Sequence, residues 1–129
     1  MQTSRVRMVC VDDDQQILDN YREIFEDLGF EVKTGQNGFD LGCFIADELP
    51  DVMLVDLSMP GLNGLTALQR LSLKHKHLLA RTIVVSGIID TAVAQELRKL
   101  NVKSFKKPVN YPDLISAVND LVRHAKSAS

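Results

Sequence analysis

The chain is short of cysteine, of excess charge and of long apolar runs, and each shortage removes a class of function. Two cysteines in 129 residues cannot build a disulfide framework, and Cys10 and Cys43 lack metal-ligand spacing. Cys10 lies in a strand-like run and Cys43 in a helix-like one, so both are expected to be reduced, buried packing residues. No apolar stretch approaches the roughly 18 residues of a membrane span. The polar start Met1-Gln2-Thr3-Ser4-Arg5 lacks a signal peptide's apolar core, so a cytoplasmic chain without a membrane partner is expected. Fifteen Lys and Arg against seventeen Asp and Glu leave a net charge of −2. The basic residues are scattered, so direct nucleic-acid binding is not expected. There is no internal repeat and no low-complexity stretch; only Lys126-Ser127-Ala128-Ser129 reads as a frayed tail.

What is present suits one compact domain: 45% of the residues are apolar, enough for a real core. Residues 1–129 are read as a single unit, with a core over about 6–122 and 123–129 as a tail or the start of a linker. Short β-rich apolar runs alternate with segments of helical periodicity. That rhythm predicts an α/β fold, a doubly wound five-stranded parallel sheet flanked by five helices.

The strands are expected at Val6–Val11, Phe30–Thr34, Val52–Val55, Ile83–Val85 and Val102–Lys106. The first helical stripe is Ile17, Leu18, Tyr21, Ile24, Phe25 and Leu28, stopped by Gly29. The second is Leu41, Phe44, Ile45 and Leu49, following the turn Gln36-Asn37-Gly38 and closed by Pro50. Leu65, Leu68 and Leu71 begin the third helix; Val93, Leu97 and Leu100 stripe a fourth that starts near Asp90. Leu114, Ile115, Val118, Leu121 and Val122 mark the last, opened by Asn110 and Pro112.

Four features fall at the carboxyl ends of predicted parallel strands, the edge where open sheets bind ligands: Asp12-Asp13-Asp14, Asp56, Ser86 and Lys107-Pro108. Carboxylates gathered there repel by about 4 kcal/mol per 4 Å pair at an effective dielectric near 20, so the cluster needs a cation. Hard oxygen donors open to phosphate and water favour Mg²⁺. A lysine adds fixed positive charge, a serine adds a hydrogen-bond donor, and a carboxylate can attack phosphorus. Together they describe a phosphoryl-transfer site on an aspartate.

The stretches Val9-Cys10-Val11-Asp12-Asp13-Asp14, Pro50 to Gly64 around Asp56-Leu57-Ser58-Met59-Pro60-Gly61, Ile83-Val84-Val85-Ser86-Gly87 and Phe105-Lys106-Lys107-Pro108 recur in that order in response-regulator receiver domains. From about Val6 to Val122 the chain resembles that two-component family, in its chemotaxis-regulator-like form. The aspartate followed by Met-Pro-Gly and Gly is the most specific part.

The resemblance implies that Asp56 is the phosphoacceptor, that Asp13, Asp56 and the Ser58 backbone carbonyl ligate Mg²⁺, and that Asp12 holds it through water. It implies that Ser86 contacts the phosphoryl oxygens and that Lys107 pairs with them. The implied partners are a histidine kinase or phosphotransfer protein and a downstream effector or fused output domain. A homodimer through the face of the fourth helix, fifth strand and fifth helix is also implied. The implied role is that of a signal receiver that assists its own aspartyl phosphorylation and dephosphorylation, not an enzyme.

Plainer readings compete at each position. An acidic run before a helix is usually a cap, which is the reading kept for Asp14. Lys106 is expected to be solvated, and Lys74-His75-Lys76-His77 is expected to be an exposed basic helix end. A flavodoxin-like cofactor binder needs a donor-rich loop where this chain has three aspartates. A haloacid dehalogenase-type phosphatase needs an acid where Ser58 stands, and consecutive acids at 12–14 fail the alternation of an EF-hand. A pseudo-receiver, an interaction module without phosphoryl traffic, would normally have lost an acid or the lysine.

Two further expectations concern the segment before Lys107. The Lys107-Pro108 bond matches a family position usually held cis. The aromatic common three residues before the lysine is replaced by Ser104, with Phe105 one place later and Asn101 where glycine is common. Alternation along a strand puts Phe105 on the face of Lys107, packing inward. The expectation is that no aromatic couples Ser86 to the output face and that the backbone around Ser86-Gly87-Ile88-Ile89 moves instead; the alternative is that a one-residue deletion has shifted the strand and Phe105 is the rotating ring.

Overall fold

The computed structural model describes residues 5–58, 64–87 and 89–127. The Met59-Pro60-Gly61-Leu62-Asn63 part of the loop after Asp56, and Ile88, lie outside them. Five parallel strands form one sheet in the order β2-β1-β3-β4-β5, with β1 at Arg7–Val11, β2 at Glu31–Gly35, β3 at Val52–Val55, β4 at Thr82–Ser86 and β5 at Lys103–Lys106. The helices are α1 (Gln15–Asp27), α2 (Gly38–Asp47), α3 (Gly64–Lys74), α4 (Lys76–Leu79), α5 (Thr91–Lys99) and α6 (Tyr111–Ser127). The four-residue α4 was not expected, so the predicted fourth and fifth helices are α5 and α6.

The central strands are apolar throughout because both faces are covered. From β1, β3 and β4, Met8, Cys10, Val52, Leu54, Ile83 and Val85 enter one core, joined by Leu18, Tyr21 and Phe25 of α1 and Leu114 and Val118 of α6. Their neighbours Val9, Val11, Met53, Val55 and Val84 enter the other, against Leu41, Leu68, Leu71 and Leu97 of the opposite helix layer. The period-2 alternation of a strand therefore divides its residues between two cores.

Caps set the helix entries. Asp14 Oδ1 accepts from the Gln16 amide at 2.9 Å, Asn37 Oδ1 from Asp40, Asp90 Oδ1 from Val93 and Asn110 Oδ1 from Asp113. Gly29, at φ 94°, reverses the chain after α1. Asn101 makes the corresponding turn after α5 at φ 58°, a conformation Asn tolerates where glycine is otherwise favoured.

Several expectations at helix ends need correction. Leu28 is the C-cap of α1 and 49% exposed, and Leu49 lies beyond α2 and is 38% exposed, so neither belongs to a buried stripe. Cys43 is exposed, whereas Cys10 is buried as expected. The helical face of α2 that meets the sheet is carried by Leu41, Phe44 and Ile45, and Cys43 falls outside that arc. Strands β1, β2 and β5 each begin one residue later than expected. Lys74, Lys76 and His77 are exposed as predicted, but His75 is half-buried between α3 and α4.

Candidate functional site

The sheet's own hydrogen bonds carry the key residues to one edge. Beyond the last paired residues, the Asp12 amide donates to Gly35 O at 3.1 Å and the Asp56 amide to Val11 O at 2.9 Å. The Lys107 amide donates to Ser86 O at 3.0 Å. Each ladder thus runs one step past its strand and fixes the residue that follows. Glycine is favoured at position 35 because a Cβ there would lie 2.6 Å from Cβ of Asp40. The sequence offered no separate signal for this close approach.

The side chains converge. Lys107 Nζ donates to Asp12 Oδ2 at 2.8 Å and to Asp56 Oδ2 at 3.0 Å. The remaining oxygens accept from backbone: Asp12 Oδ1 from the Asp14 amide at 2.9 Å, Asp56 Oδ1 from the Ser58 amide at 3.1 Å. Asp12 is 1% exposed, Asp56 3% and Ser86 fully buried, while Asp13 is exposed at the rim. Asp12, Asp13 and Asp56 can each direct one carboxylate oxygen to a common position, these atoms lying within 4.8 Å of one another. Asp14 turns away to cap α1, and Lys106 is exposed.

The electrostatics are those of an acidic pocket held by one ammonium. Burial pushes the Asp12 carboxyl above its ordinary range, the charge of Asp56 adds to this, and the hydrogen bonds from Lys107 and the Asp14 amide only partly oppose it. Burial alone would lower the Lys107 ammonium, but its bonds to Asp12 and Asp56 outweigh that and raise it. Three carboxylates that converge on one point around a single lysine, with hard oxygen donors only, fit a divalent cation such as Mg²⁺. Beneath the site the Tyr21 hydroxyl is buried with no hydrogen-bond partner among the described residues, a feature that the apolar stripe of α1 concealed.

The neighbouring strand also meets expectation. Phe105 is half-buried, registers with Val85 and packs against the core that contains Tyr21 and Leu114. Lys103 Nζ stands 5.8 Å from its ring centroid. The Lys107-Pro108 bond is cis.

Fold and pocket together define a class, doubly wound α/β domains whose chemistry sits at the carboxyl strand ends around clustered carboxylates and one lysine. The sequence-family model described as "Response regulator receiver domain" matches residues 8–119, and the chain belongs to that family. It is therefore a receiver domain of the two-component response regulators, a signalling switch and not a conventional enzyme.

Among curated relatives, Protein PilH of Pseudomonas aeruginosa is 32% identical over 119 residues, 88% of this chain and 94% of that protein. Sporulation initiation phosphotransferase F of Bacillus subtilis is 26% identical over 87% of this chain and 90% of its own length. The uncharacterized transcriptional regulatory protein YesN of the same organism is 29% identical, and the chain covers 33% of its length. The crystal structure of a CheY-like response regulator receiver domain protein from Methanospirillum hungatei aligns with a TM-score of 0.89. That alignment covers 98% of this chain and 100% of the other at 24% identity, and carries the fold alone. No helix among the described residues is long and apolar enough to cross a membrane.

Proposed function

We propose that the chain is a phosphoacceptor switch in which Asp56 receives a phosphoryl group from a histidine kinase or phosphotransfer protein. The observation that carries this reading is the shared grip of Lys107 on Asp12 and Asp56 at 2.8 and 3.0 Å. Such a lysine would pair with phosphoryl oxygens added at Asp56.

In the transfer, an Asp56 carboxylate oxygen forms a bond to phosphorus as the P–N bond of the donor phosphohistidine breaks, and the freed imidazole takes a proton from solvent. Asp13, Asp56 and the Ser58 carbonyl would hold Mg²⁺ directly and Asp12 through water. The ion supplies positive charge beside the phosphoryl oxygens. The protein's part is positioning and fixed charge. Lys107 would neutralise one oxygen, and the buried Ser86 would contact another. Engagement of Ser86 and Lys107 then biases a two-state equilibrium at α5, β5 and α6, changing affinity for an effector, an output domain or a second copy.

Incubation with a small phosphodonor and Mg²⁺, read by intact mass, tests the proposal. A labile single-phosphoryl adduct on the native chain is expected, absent in a folded Asp56→Asn variant. Asp13→Asn should weaken Mg²⁺ binding by at least about tenfold. Absence of any adduct on the native chain would instead favour a pure interaction module, and persistent modification of Asp56→Asn would identify a different acceptor.

A further inference from the structure

Away from the acidic pocket, α2 and α3 do not close against each other but leave an open cleft of about 440 Å³. Its base includes the buried Leu41 and Leu71, and its α2 edge is Gly38, Gly42 and Ala46, spaced four apart on one side of the helix. Glycine in a helix interior is unfavourable relative to alanine, so Gly42 needs a reason. The fold provides none: its φ is not positive, and a Cβ there would meet nothing within 4 Å. Bare backbone at the lip of a cleft instead allows close approach from outside.

The α3 edge differs in kind. Leu73 is 85% exposed, and Arg70 and Lys74, one helical turn apart, make no ion pair among the described residues. Among the described residues no carboxylate lines the cleft, in a chain whose net charge is −2. An apolar trough with one basic wall and one wall of bare backbone is complementary to an amphipathic helix bearing acidic residues along one flank.

We propose that the α2–α3 cleft is a docking groove for an acidic amphipathic helix of another protein. Apolar side chains at i, i+3 or i+4 and i+7 fill the trough, the helix backbone rests against the exposed Gly42 and Ala46, and its acidic flank meets Arg70 and Lys74. A second copy of the chain is a poor occupant. Its most acidic outer face, on α1 with Asp19, Glu23, Glu26 and Asp27, has its apolar side already buried at Leu18, Tyr21 and Phe25. The groove does not depend on phosphorylation at Asp56.

An unbiased display library of helix-length peptides, selected on the native chain and counter-selected on Gly42→Leu, tests this. The Gly42→Leu side chain enters open space, so the variant should fold, as circular dichroism and thermal melting would verify. Enriched sequences are expected to be amphipathic and acid-rich, and to shift amide resonances along α2 and α3. They should bind Gly42→Leu and the double variant Arg70→Glu, Lys74→Glu at least about tenfold more weakly. The proposal is overturned if nothing enriches over the counter-selection, if enriched peptides are basic or non-helical, or if the variants bind as well as the native chain. A dimer in sedimentation equilibrium that Gly42→Leu dissociates would overturn it in favour of self-association.

Discussion

Lys107 Nζ stands 3.0 Å from Oδ2 of Asp56, across 51 residues of sequence, and is the cation that makes a buried carboxylate tolerable at that strand end. It does the same for Asp12 at 2.8 Å. Breaking a buried ion pair from one side leaves an uncompensated charge, which costs about 3 kcal/mol or more. Lys107→Ala should therefore lower stability by about that amount in EDTA, and millimolar Mg²⁺ should restore most of it by supplying the missing charge. Equilibrium denaturation with and without Mg²⁺ makes the comparison. An unchanged midpoint in EDTA would mean that the lysine contributes little to holding the acids.

Asp12 pulls the other way. Burial holds its carboxyl above the ordinary range, so the folded state binds its proton more tightly than the unfolded state does. A carboxyl raised on folding favours the fold at low pH, and that contribution is lost as pH rises through the unfolded value near 3.8 and the higher folded one. At neutral pH the Asp12 charge is thus a net cost to the fold, retained for what the pocket does. Asp12→Asn should stabilise the metal-free chain at pH 7 by about 1 kcal/mol, with the gain shrinking as pH falls toward 4. Urea titrations at pH 7 and pH 4 measure both, and a loss of stability at pH 7 would contradict the assignment.

The sheet and the site were legible in the sequence for the same reason: carboxyl strand ends in a parallel sheet point one way, so acids at 12, 13 and 56 and a lysine at 107 had to meet once the strands were recognised. Strand positions came from runs such as Val52–Val55 that are apolar on both faces. What could not be read was local geometry at helix ends and rims. Leu28 and Leu49 continue a helical period past the point where the cap turns the chain, and Cys43 has the composition of a core residue but the wrong angle around α2. The four-residue α4 has too few residues for periodicity to register. The Ser58 amide bond to Asp56 and the close approach of Gly35 to Asp40 are backbone facts that no side-chain pattern announces.

The two cysteines should differ sharply in reactivity. Cys43 is exposed, whereas Cys10 is buried in β1 and burial pushes its thiol far above the ordinary range. Only the thiolate attacks an alkylating reagent, so Cys10 is protected by both access and charge. Iodoacetamide at pH 8 should add one group quickly at Cys43 and a second only on unfolding. Peptide mapping of a time course locates both, and early labelling of Cys10 would show that β1 opens locally.

The last prediction concerns how the pocket speaks to the rest of the molecule. Phe105 packs into the core that holds Tyr21 and Leu114, registers beside Val85, and has Lys103 Nζ 5.8 Å from its ring. We infer that a ring so placed serves as packing, since by resemblance to the family it is Ser104 that stands where the aromatic partner of Ser86 is common. Ser86 is also tied to Lys107 through the backbone bond at 3.0 Å. Movement of Ser86 toward a phosphoryl group should then travel through the Ser86-Gly87 backbone to Asp90, which caps α5, and not through a rotating ring. Phe105→Leu keeps an apolar side chain and should cost about 1 kcal/mol or somewhat more in stability. The amide shifts that a phosphoryl mimic induces at Gly87 and Thr91 should survive in that variant with their native amplitude. Their disappearance, or a change of Phe105 rotamer between free and mimic-bound structures, would make Phe105 the coupling residue after all.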